Sequence, residues 1–120
     1  MLVAGAAVKI TIHLNEDTSS SSDFLHKEIL SFLYNEGVSG ASLLKLQSGF
    51  GSHHHLHEEG AGWDTGEHLP IRIEFIEEPG RAAKLLPRLC EMVTDGIVEM
   101  QETRILKNAA TKKTRGPALS

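Results

Sequence analysis

The 120-residue chain holds a single cysteine, Cys90, so an intrachain disulfide is excluded and the usage fits a reducing compartment. Aromatic residues make up only 5% of it, which leaves aliphatic side chains to build the core. No apolar run is long enough to span a bilayer, and the opening "MLVAGAAV" lacks the basic flank and cleavage context of a secretory signal. Positive charge is also in deficit: the net charge of -4 argues against a nucleic-acid binder, which needs clustered Lys and Arg to neutralise phosphates. The one basic cluster, "KKTRG", sits near the C-terminus and reads as part of a solvated tail. There is no "GxxxxGK[ST]" phosphate loop. The expectation is a cytoplasmic protein without membrane insertion and without a nucleic-acid partner.

What is present is period. Val8, Ile10, Ile12 and Leu14 alternate with Lys9, Thr11 and His13, as in a strand with one buried face. "NEDTSSSSD" breaks the alternation and offers Ser and Asp as N-caps for a helix in which Leu25, Ile29, Phe32 and Leu33 share a face, stopped by Gly37. Leu44 and Leu46, alternating with Lys45 and Gln47, predict a second strand running into Gly49. Ile71, Ile73 and Phe75 predict a third, with Arg72 and Glu74 on its other side. Pro79 suits the first turn of a second helix, whose apolar stripe is Ala82, Leu85, Leu86, Leu89 and Val93. After "TDG", a last strand runs from Ile97 to about Leu106.

The order β-α-β-β-α-β is the ferredoxin-like arrangement of the α+β class: a four-stranded antiparallel sheet with both helices on one face. The length suits one domain, with a core of about 8–106, a loop over 50–68 and a tail over 107–120. Lys9, Thr11, His13, Lys45, Gln47, Arg72, Glu74, Glu99, Gln101 and Thr103 fall on the uncovered sheet face. That face is either solvated or meets partner sheets through charge pairs.

"GFGSHHHLHEEGAGW" carries four histidines in a glycine-flanked stretch. In extended chain His53, His55 and His57 project on one side and can share a transition metal, with Glu58, Glu59 and Asp64 as further oxygen donors. The spacing matches no specific zinc signature, and the alternative is a solvated loop whose imidazoles titrate near neutrality. Ser52 and Cys90 are the available nucleophiles. Ser52 has no positioned base, and Cys90 adjoins the apolar stripe, where a buried thiol is the ordinary role. No catalytic residue is assigned, and the reading is not an enzyme. Trp63, the only tryptophan, stands inside the loop as a candidate partner-docking anchor.

The succession "KITIHLNED", "FLHKEILSFLYNEGVSGASLLKLQSGFG", "LPIRIEFIEEP" and "TDGIVEMQETRIL" resembles an uncharacterised, widespread prokaryotic family that shares the fold of the nitrogen-regulatory PII signalling proteins. The likeness runs from about Val8 to Leu106. It implies a homotrimer, and a 50–68 segment corresponding to the PII T-loop, which docks on transporters or enzymes. It further implies an adenine nucleotide between subunits, held at Gly49, Phe50 and Gly51, at Thr94, Asp95 and Gly96, and at Arg104. The turn before the last strand is shorter than in PII and lacks its phosphate-binding lysine. The leading expectation is therefore a PII-like regulatory protein whose ligand sets the loop and so controls a partner. Two alternatives stand beside it: a divalent-metal binder of CutA-like architecture using His53, His55 and His57, and an assembly protein with no small ligand.

Overall fold

In the computed structural model the described residues are 2–15, 24–46, 48–49, 57–58 and 70–109. The elements follow in the order β1 (Gly5–Asn15), α1 (Leu25–Asn35), β2 (Ser42–Lys45), β3 (Ser48–Gly49), β4 (His57–Glu58), β5 (Pro70–Glu77), α2 (Pro79–Met92) and β6 (Ile97–Ile105). The main sheet has the order β2-β5-β1-β6, and every neighbouring pair is antiparallel. A separate two-residue ribbon pairs Ser48 with Glu58 and Gly49 with His57. The second strand therefore does not run into Gly49: β2 ends at Lys45, and 48–49 belongs to this ribbon, outside the main sheet.

The core forms where the alternation of β1 and β5 meets the helical stripes. Ile10, Ile12, Leu14, Ile71, Ile73 and Phe75 supply its sheet side, and Leu25, Ile29, Leu33, Ala82, Leu85 and Leu89 its helical side. Aliphatic side chains dominate it, as the scarcity of aromatics requires. Helix α1 ends as Gly37 foretells. Gly37 takes φ +80°, Val38 N–H donates to Leu33 O and Gly37 N–H to Tyr34 O, the paired bonds of a Schellman motif. At its other end no side-chain cap hydrogen bond is made among the described residues, and the Ser and Asp candidates for the cap lie outside them. Extended Phe24 occupies the cap position, and residues 16–23 lie outside the described residues. Helix α2 begins with Pro79 as expected and continues through an internal Pro87. The Glu77 carboxylate accepts a hydrogen bond from Glu78 N–H at the entrance to α2.

Two sequence expectations about side-chain direction are corrected. Leu44 pairs with Arg72 and so lies on the open face, 40% exposed, while Leu43 and Lys45 pair with the inward Ile73 and Ile71. Lys45 is thus on the helical face; Gln47 lies outside the described residues. Cys90 is exposed, because one helical step of about 100° past the buried Leu89 turns its side chain out of the stripe.

Candidate functional site

Strand register fixes what stands beside what on the open face. One row across the sheet is Leu44, Arg72, His13 and Ile97; the next is Ser42, Glu74, Thr11 and Glu99; the third is Ile76, Lys9 and Gln101. Cationic and anionic rows alternate, and the charges pair across them. Glu74 Oε1 lies 3.7 Å from Lys9 Nζ, and its Oε2 lies 3.9 Å from an Arg72 terminal nitrogen. His13 Nε2 donates to Glu99 Oε1 at 2.7 Å. Buried within this array, Arg72 Nε has no hydrogen-bond partner among the described residues. Thr11, in the middle, is only 8% exposed although no helix among the described residues covers this face.

At the end of the sheet where β2 begins and β6 finishes, a cavity of about 440 Å³ opens on this face. Lys9, Ser39, Ser42, Glu74, Ile76 and Lys107 are among its lining residues. Asn108 Nδ2 donates to Leu2 O at 2.8 Å and ties the chain after β6 to the residues before β1 at its rim. Two ammonium groups, two hydroxyls, one carboxylate and an apolar wall suit an anionic molecule with a flat apolar portion and an amino group for the carboxylate to accept. Sequence reading placed Lys9 and Glu74 on this face but not in a cavity. The lining segments are widely separated along the chain, and only the strand order joins them.

The residues nominated from sequence fall elsewhere. Thr94, Asp95 and Gly96 form the turn into β6, at the opposite end of the sheet from the cavity. Gly96 packs so closely on β1 that a Cβ there would overlap the His13 carbonyl oxygen and sit 2.9 Å from Leu14 Cδ2. Arg104 is exposed, near the cavity end of β6 but on its helical face, opposite Ala6. Gly49 is described only as ribbon backbone, and Phe50 and Gly51 lie outside the described residues. The Thr94–Gly96 turn and the end of β2 are at opposite edges of the sheet, three strand spacings or about 14 Å apart. One protomer therefore does not gather Thr94–Gly96, Arg104 and the end of β2 around one small molecule.

Among the histidines, His57 is in β4, while His53 and His55, like Trp63, lie outside the described residues. Among the described residues no group of three His, Cys, Asp or Glu is placed to hold a metal ion. No helix among them is long and apolar enough to cross a membrane.

An antiparallel β2-β5-β1-β6 sheet with both helices on one side is the PII-like variant of the ferredoxin-like fold, and solved structures agree. The CPII protein of Thiomonas intermedia K12, described as a nitrogen regulatory PII-like protein bound to ADP, AMP and bicarbonate, is 18% identical. That match has a TM-score of 0.60 and covers 87% of this chain and 99% of that one. A candidate PII-like signaling protein from Thermus thermophilus is also 18% identical, with a TM-score of 0.61 over 99% of this chain and all of that one. The family model DUF190, "Uncharacterized ACR", matches residues 7–105, and the chain belongs to that family. Among curated proteins none matches the sequence.

Proposed function

We propose that this chain is a PII-like regulatory protein that binds an adenine nucleotide at the open-face cavity, in a site completed by a neighbouring copy, and acts on a partner through the 50–68 loop. The carrying observation is the cavity's donor set: Lys9 and Lys107 for negative charge, Glu74 for an exocyclic amine, and Ile76 for the face of a base. The ADP and AMP in the Thiomonas CPII structures support the same ligand class. A nucleotide whose base lies on Ile76 keeps its phosphate within reach of Lys9 and Lys107, at the end of the sheet where β6 finishes. Arg104, near this end of β6 but on its helical face, reaches that phosphate from the adjacent protomer, whereas the Thr94–Gly96 turn lies at the other end of β6 and does not. Separation of these groups within one chain favours a homotrimer of the PII kind. The protein has no catalytic role in this reading, and Trp63 serves the partner interface.

The test is thermal unfolding of metal-stripped protein with ATP, ADP, AMP, a cyclic nucleotide or zinc. A ligand present at 100 times its Kd adds about 2.7 kcal/mol to the native state. A nucleotide-specific rise in Tm that Glu74→Gln and Lys9→Met diminish is the expected outcome. A rise with zinc alone, lost on replacing His53, His55 and His57, would move the function to metal binding. No rise with any of them would leave the assembly reading.

A further inference from the structure

Glu74 is held between two cations without being committed to either. Both contacts, 3.7 Å to Lys9 and 3.9 Å to Arg72, exceed hydrogen-bond length, so they are charge contacts only. On the Arg72 side a buried Nε–H stands with no acceptor among the described residues, and such a donor is costly to leave unmade. On the Lys9 side is the cavity, lined by both Lys9 and Glu74. One carboxylate thus faces a ligand-accessible ammonium and a guanidinium whose near nitrogen is Nη1, so that engaging the unsatisfied Nε–H takes a turn of the Arg72 side chain.

We infer that Glu74 is a two-position switch reporting whether Lys9 is engaged. An anion in the cavity takes the Lys9 ammonium, and Arg72 then turns its Nε–H edge onto the carboxylate as a two-bond pair, the stronger geometry for a guanidinium, which leaves the carboxylate's other lone pairs to an amine of the ligand. Arg72 is the cross-strand neighbour of Leu44 on β2. Two residues further, Leu46 N–H bonds to Pro70 O at 3.0 Å and extends the β2–β5 pairing past Lys45. The switch therefore links cavity occupancy to the β2–β5 strand pair. Its link to a nucleotide rests on the function proposed above; the exchange between Lys9 and Arg72 does not.

The ε-proton of Arg72 reports the switch directly by NMR, assigned through its loss in Arg72→Lys. Ligand-free Lys9→Met imitates an engaged lysine. It is expected to move that proton downfield and slow its exchange with water by roughly fivefold, as a net hydrogen bond of about 1 kcal/mol would. ADP added to the unsubstituted protein is expected to do the same, with calorimetry run in parallel to register binding. An ε-proton left in place by Lys9→Met overturns the switch whatever ADP does, and ADP that binds without moving it overturns its coupling to the ligand. If ADP gives no heat while Lys9→Met moves the proton, the switch stands and the nucleotide reading falls.

Discussion

Gly96 separates two roles that a sequence cannot tell apart, a phosphate cradle and a packing contact. Its backbone lies against β1 with no room for a side chain, and the obstacle is the His13 carbonyl, which belongs to a central strand. Gly96→Ala is expected to cost about 2–3 kcal/mol in urea unfolding, with or without ligand, because an added methyl must push β1 and β6 apart. A glycine needed only for anion approach would instead leave stability unchanged and weaken ligand binding alone. Lys9 and Glu74 are the opposite case. Their alternation put them on the open face from sequence, yet their partnership across the β1–β5 pair and their place in a cavity depend on register.

At the scale of elements, the strongest local signals were Gly37 and the 3.6-residue stripes, and both held because they are properties of the chain within one or two turns. Gly37→Ala is expected to cost about 1–2 kcal/mol, since φ +80° strains any L side chain while the added methyl meets Arg81 only at ordinary contact distance. Guanidine unfolding monitored by circular dichroism checks it, and a loss below a few tenths would mean that α1 ends without needing the Schellman turn. The second strand was harder to read. Leu43, Leu44 and Leu46 give two overlapping alternations, and a four-residue edge strand has too little pattern to choose between them. Pairing with β5 decides for Leu43 inward.

At the scale of the whole molecule, the described residues leave one sheet face without a helical layer. That face carries alternating charged rows, with Leu44 and Ile97 at the two ends of the Arg72–His13 row, 40% and 62% exposed. If the open faces pack together in the proposed trimer, these apolar ends are removed from water. Leu44→Glu with Ile97→Glu is then expected to shift the sedimenting species from trimer to monomer while helical ellipticity is retained. An unchanged trimer would place the interface elsewhere. Such an interface would also bury the paired charges of the two rows, where leaving one partner without its mate is strongly destabilising.

Element order, the two helical stripes, the inward rows of β1 and β5, and membership of an α+β ferredoxin-like class were all legible in the amino-acid order. Each of these follows from periodicity, capping and turn chemistry over a few residues. Packing in three dimensions was needed to show which leucine of β2 points inward, that Cys90 faces out, that the Thr94–Gly96 turn and Arg104 lie at opposite ends of β6, and that Lys9, Ser42, Glu74 and Lys107 share one cavity. The reason is physical: periodicity assigns a residue to a face, but only hydrogen-bonded register between strands distant in the chain assigns it a neighbour, and ligand sites are made of neighbours.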